Sequence, residues 1–388
     1  MNSDFHYYAT FCAAYLAGYT TEESRNIAWC AQFTDCCSAT FLTRVRGPKE
    51  AATTQLQLEL ANARTDLIGL QKITRIWASF HFLPGDLTAE VSGGKFYRDK
   101  FRLICNVNSP LLKETVNLAK GNGTEAAGLA MHVLADTWAH RFFAGTPSLV
   151  INNTNYHFYE LITENGGLRE RKVTFRHNPS APDDLDRGIY NNTVMRLGES
   201  AIMNLGHGRA GHLPDYSFMR YRYMPAWGNY TVVTKNNPSD YMRAFRQMVY
   251  ALRCIRGAEG EFCLCRYDAG TVDPWASEIK SILTKRRPDA SEDWKALGLR
   301  LSGFELPGFN ISEYEQEYLS AQGDGKDDTV LGRFFMAALR QKSMVTNKIF
   351  RSGNKLAGYS VDYKKQGFKG IKDFMKLIKK DTAGDEKD

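Results

Sequence analysis

No stretch of the 388-residue chain approaches the ~18–20 consecutive apolar residues that a membrane-spanning helix needs, so no such span is expected. The start, Met1-Asn2-Ser3-Asp4, lacks the basic residues and apolar core of a secretory signal. Synthesis in the cytoplasm is therefore expected, and any export would need a dedicated secretion machine. Paired C-x-x-C sets are missing. The eight cysteines are scattered (Cys12, Cys30, Cys36, Cys37, Cys105, Cys254) or form the lone C-x-C of Cys263 and Cys265, which argues for reduced, mostly buried thiols rather than a zinc finger. Strong charge is lacking too. With 50 basic and 43 acidic residues the net charge is +7, too mild for sequence-specific nucleic-acid binding and enough only for a weak preference for anionic partners.

Histidine is unevenly spread. All eight lie between His6 and His212, and none follows. Length allows two or three domains. The change in character near residues 228–238, where Asn236-Asn237-Pro238 punctuates the chain, divides it into 1–230 and an accessory helical region, 231–388. Helical patterns dominate both, so the fold class is mainly α. Thr20 and Glu23 fit a capping box, and Tyr241, Phe245, Met248, Val249, Leu252 and Ile255 recur at helical spacing. Thr124 is expected to cap a helix reaching Phe143, and a short helix is expected over 187–205. At the far end, seven lysines between Lys364 and Lys380 flank an apolar edge of Ile371, Phe374, Met375 and Ile378. Such a tail can touch an anionic membrane weakly or dock on the protein itself.

The segment 129–143, LAMHVLADTWAHRFF, is the most informative. His132, Asp136 and His140 interrupt it every four residues. Successive members are offset by about 40° and rise by about 6 Å, so they form one polar stripe on a buried helix. A carboxylate there is costly unless paired, hydrogen-bonded or bound to metal. His132 and Asp136 can share one metal while Asp136 and His140 reach a second, as a two-metal hydrolase requires. The plainer alternative is a hydrogen-bonded His–Asp–His core. His6, Asp35 and His81 add imidazole and carboxylate from other apolar segments, and GHGRAGHLPD adds His207, Arg209, His212 and Asp215. Arg209 suits a phosphate. Nitrogen and oxygen donors without cysteine suit zinc, in two or three ions, or manganese or iron. A phosphohydrolase built on an adjacent His-Asp pair is excluded, because no such dipeptide occurs.

The segments DFHYY, AQFTD, FHFLPG, HVLADTWAHRFFAG and GHGRAGHLPD, over about residues 4–225, resemble a bacterial family of unknown function. More remotely, the order His6, Asp35, His81, His132-x-x-x-Asp136, His140 is similar to the ligand order of zinc-dependent phospholipase C and the related single-strand nucleases. That resemblance implies a multi-helix metallohydrolase domain and phosphoester substrates, phospholipid first and nucleic acid or phosphomonoester next. It places Asp35, His81, His132 and Asp136 on one metal, His6 and Asp136 on a neighbour, and His140 and His207 on another. Asp35 would also orient the attacking water or take its proton. Those enzymes use a processed N-terminal amino group as a ligand, which is not expected here because His6 follows Met1 so closely. Their closing His-x-x-x-Glu pair is replaced by His207 with His212 or Asp215. The non-enzyme alternative is an interaction protein with a structural metal or a hydrogen-bonded core.

Overall fold

The mainly helical class holds in the computed structural model, which describes residues 1–56, 58–60, 67–90, 94–146, 157–164, 166–178, 180–192, 206–228 and 231–354. The lysine-rich tail lies outside them. Of the helix expected over 187–205, residues 193–205 also lie outside, and Ile189–Asn191 form a strand instead. Hydrogen bonds to a neighbouring strand through Thr174–Arg176 meet that backbone, which sets its extended form.

DFHYY winds as a π-helix, Asp4–Ala9, that runs into α1, Thr10–Leu16. Helix α2, Thr21–Phe33, opens with the capping box of Thr20 and Glu23, and α3, Ala39–Val45, opens on Ser38. Helices α4, Leu67–Phe80, α5, Lys95–Phe101, and α6, Pro110–Ala119, lead to the central helix α7, Gly123–Ala139. Thr124 does not cap α7. Its hydroxyl accepts from Asn26 Nδ2 at 2.7 Å, and the cap position falls at Asn122. The helix also stops short of Phe143. Phe142 adopts φ +78°, and the backbones of Phe142 and Phe143 pair with Cys105 at 2.9 and 2.7 Å in place of helical bonds.

An antiparallel sheet follows, built from β1, Tyr159–Glu164, β2, Gly167–Lys172, β5, Arg220–Tyr223, and β6, Val233–Asn236, in the order β2-β1-β5-β6. Strands β3, Thr174–Arg176, and β4, Ile189–Asn191, pair in parallel beside it. Between β4 and β5 in the chain stands the short helix α8, Gly206–Ala210. Phe158, just before β1, and Tyr221 and Tyr223 of β5 close over Phe143, Leu213 and Met219 in a second apolar core.

The remaining helices are α9, Asn237–Arg256, α10, Ala276–Thr284, α11, Ser291–Ser302, α12, Glu315–Ser320, and α13, Val330–Arg351. All six apolar positions noted at helical spacing in α9 are buried. Helices α2, α6, α9 and α13 pack around α7, so helices on both sides of the expected boundary share the main core. α7 is buried from Glu125 to Ala139, and this leaves its polar stripe facing other protein segments, not water.

Candidate metal centre

Asp136 lies at the middle of the stripe with 1% of its surface exposed. Its Oδ1 is 2.9 Å from the Met1 amino nitrogen and 3.1 Å from His6 Nε2. Its Oδ2 is 3.1 Å from His81 Nδ1, 3.2 Å from His132 Nε2 and 3.5 Å from His140 Nδ1. Burial alone would favour the neutral acid. The neighbouring His140, the Met1 amine, His132 and His6 outweigh it and hold the carboxyl well below the usual range.

Three imidazoles are fixed from outside by backbone carbonyls. His81 Nε2 donates to Thr53 O at 3.0 Å, His132 Nδ1 to Ala31 O at 2.9 Å, and His140 Nδ1 to His81 O at 2.8 Å. A carbonyl only accepts, so each of those nitrogens carries the hydrogen, and the other nitrogen of a neutral ring presents a lone pair. These inner nitrogens converge. His132 Nε2 is 3.2 Å from His81 Nδ1, and both face Asp136 Oδ2. Lone pairs of two bases and a carboxylate repel one another at such distances unless a proton or a cation stands among them. Outer anchoring with inner convergence is the arrangement that metal-binding histidines require.

Among the described residues the donors fall into three groups whose ligand atoms lie within 4.8 Å of one another: His6, Asp35 and His132; His81, His132 and Asp136; and His140, His207 and Asp215. Asp35, in the turn after α2, is 3.7 Å from His81 Nδ1 and 3.9 Å from His6 Nε2. Its side chain is 33% exposed against 1% for Asp136, so it marks where the cluster meets solvent. His6 stacks on His132 with ring centres 3.9 Å apart, and its Nδ1 is buried without a hydrogen-bond partner. Burial, His132 and the Met1 amine push His6 down to about 4. Burial, the Met1 amine and His207 likewise push His140 to about 4, against the pull of Asp136. For His132 burial acts downward, but Asp136 and Asp35 raise it overall.

The third group answers a choice left open by the sequence. Asp215 Oδ1 is 3.2 Å from His207 Nε2 and 3.3 Å from His140 Nε2, so Asp215 and not His212 completes it. His212 turns to Asp183, with Nδ1 2.9 Å from Oδ2. Arg209 is buried in α8, and, two residues after His207, it leaves the opposite side of that short helix.

The amino group of Met1 corrects an expectation. Placed by the Asn2 amide on Pro288 O at 3.1 Å and by Asp4 on the Ala290 amide at 3.0 Å, the N-terminal segment brings the amine to Asp136, to 3.3 Å from His140 Nε2 and to 3.3 Å from Asp215 Oδ1. The π-helix advances His6 and the amine to the same carboxylate despite their closeness in sequence. Burial opposes the ammonium, but Asp136, Asp215 and Asp35 outweigh it and raise the amine to about 11.

Residues beyond 231 complete the frame. Tyr241 donates to the carbonyl of Asp215 at 2.8 Å, and Lys235 donates to Trp138 O at 2.7 Å at the end of α7, where a cation suits the helix dipole. Neither carries a sequence signal that ties it to the site, Tyr241 being legible only as part of the apolar stripe of α9. Of the cysteines, Cys263 and Cys265 are exposed, Cys36 is half-buried and the other five are buried and free.

No curated protein and no solved structure matches the chain. Residues 1–349 match a family of unknown function, DUF6765, and to that family the chain belongs.

Proposed function

We propose that the chain is a metal-dependent phosphoester hydrolase with the helical arrangement of zinc-dependent phospholipase C. The observation that carries this reading is the convergence of inner imidazole nitrogens and three aspartates, each outer nitrogen of His81, His132 and His140 being already committed to a carbonyl. The donors suit zinc, with manganese or iron as substitutes. His81 and His132 with Asp35 or Asp136 would hold one ion, His6 with Asp136 a neighbour, and His140, His207 and Asp215 with the Met1 amine a third. His132 offers a single inner nitrogen, so it serves one ion of the two groups in which it stands. Bound there, the metals supply Lewis acidity, which polarises a phosphoryl oxygen and lowers the pKa of water.

The chain's own groups do the rest. Asp136, with the Met1 amine and His6 at one oxygen and His81 and His132 at the other, fixes the relative positions of the histidines. Asp35, at the solvent edge, accepts the proton of the attacking water as oxygen adds to phosphorus in line and the ester oxygen departs. Phospholipid is the favoured substrate class, on the family resemblance in ligand order.

The lysine-rich tail fits the same substrate by weak contact with anionic membrane. Deleting residues after Tyr363 should leave turnover of a soluble phosphodiester unchanged and reduce binding to anionic liposomes at low salt; equal binding by both forms contradicts that role.

The test of the hydrolase reading is metal-dependent turnover on a panel of phosphatidylcholine, single-stranded DNA and a phosphomonoester. Turnover removed by chelation and restored by zinc supports it. A metal-loaded protein inert on all three contradicts it and favours a structural site.

A further inference from the structure

His207 reaches the third group from the short helix α8 and Asp215 from the loop that follows it, together 206–216, while His132, Asp136 and His140 come from the buried helix α7 and its end. A ligand on a loop is only as well placed as the groups that hold the loop. From α9, Asn237 Nδ2 donates to the carbonyls of Leu213 at 2.9 Å and Tyr216 at 2.9 Å. On the opposite side stands Asp183, whose side chain has no exposed surface. Its Oδ1 accepts from the Asn191 amide at 2.7 Å and from Asn191 Nδ2 at 2.9 Å, which ties it to β4. Its Oδ2 accepts from His212 Nδ1 at 2.9 Å and from the Tyr216 hydroxyl at 2.8 Å, which ties it to the loop on both sides of Leu213-Pro214-Asp215. Contact along this seam is close. Gly211 has φ +57°, and a Cβ there would lie 2.1 Å from the carbonyl of Asn191.

We propose that Asp183 is a positioning residue for the third group: through His212 and Tyr216 it holds the loop that presents His207 and Asp215 to a metal ion. This rests on the metal-centre reading above. Four donors converge on one buried carboxylate, and two of them flank the ligand Asp215, so removing the carboxylate releases the loop on its β4 side, where Asn237 no longer suffices to fix it, while leaving α7 and the N-terminal segment untouched.

The experiment compares the wild type with D183A and D183N by zinc titration of the chelator-treated protein and by amide hydrogen exchange over 206–216. In D183A one zinc equivalent should weaken by about 10–100-fold, the scale of losing an outer-shell partner, while the others keep wild-type affinity. Exchange should quicken in 206–216 alone. D183N keeps one accepting oxygen and should fall between the two. The D183A loss should shrink sharply in a background already carrying H212A and Y216F, because the same ties are then gone. All equivalents weakening together, or none weakening with wild-type exchange, overturns the proposal. A wild type that binds no zinc overturns the metal reading instead, and faster exchange confined to 206–216 still decides for or against Asp183. Should D183A not fold, the half-exposed His212 permits H212A with Y216F as the test pair, with the same outcomes.

Discussion

Gly128 of α7 faces the carbonyl of Ile27 in α2 so closely that a Cβ would lie 2.4 Å from that oxygen and 2.7 Å from Cys30 Cβ. This contact fixes the distance between the helix that carries His132 and the helix that supplies Ala31 O and leads to Asp35. A backbone oxygen cannot rotate aside as a side chain can. G128A is therefore expected to lower stability by up to about 3 kcal/mol, the upper range of overpacking, and to weaken the groups sharing His132. Urea unfolding and zinc titration check both effects. A G128A protein as stable as the wild type would mean that the two helices are not in tight register.

The Met1 ammonium, raised to about 11, must lose its proton before its nitrogen can act as a donor. Zinc loading at pH 8 is thus expected to release a proton that an N-acetylated protein does not release, and acetylation is expected to weaken one equivalent only. Calorimetry in two buffers of different ionisation enthalpy measures the difference. Equal proton release by both forms removes the amine from the ligand set.

Much of this site was legible in the sequence, for a physical reason. A charged or imidazole side chain every four residues in an apolar helix stands out against its surroundings, so His132, Asp136 and His140 announce themselves, and His6, Asp35 and His81 do so by the apolar segments around them. What stayed hidden has no side-chain signature. The anchors Thr53, Ala31 and His81 act through backbone carbonyls, and the Met1 amine is identical in every chain that starts so. Asp183, Lys235 and Tyr241 are ordinary residue types brought in by long-range packing. The early end of α7 depends on Cys105, distant in sequence, replacing helical bonds at Phe142 and Phe143.

Acid should destabilise the metal-free protein through His140. Burial, with the Met1 amine and His207 beside it, pushes its folded-state value to about 4, below the ordinary 6.5. As pH falls the unfolded chain then takes up the proton first, so this contribution to stability is full above about 6.5 and is lost as pH falls through about 4. The stability of the wild type relative to H140Q is expected to decline across that window. Urea midpoints of both proteins in chelator at pH 7 and pH 5 give the answer. A difference that is constant or grows on acidification contradicts a neutral, buried His140.

The most direct measurement is the metal content of the purified protein and of D136N by elemental analysis, paired with turnover on a soluble phosphodiester. Asn at 136 keeps the shape of the side chain but removes the charge that gathers the amine, His6, His81 and His132. Two or three tightly held ions are expected in the wild type. In D136N at least one ion should be lost and turnover should fall beyond the roughly 100-fold typical of outer-shell changes, with the helical content kept. Zero or one ion in the wild type, or a D136N protein with unchanged metal and unchanged turnover, would contradict a polynuclear hydrolase site centred on Asp136.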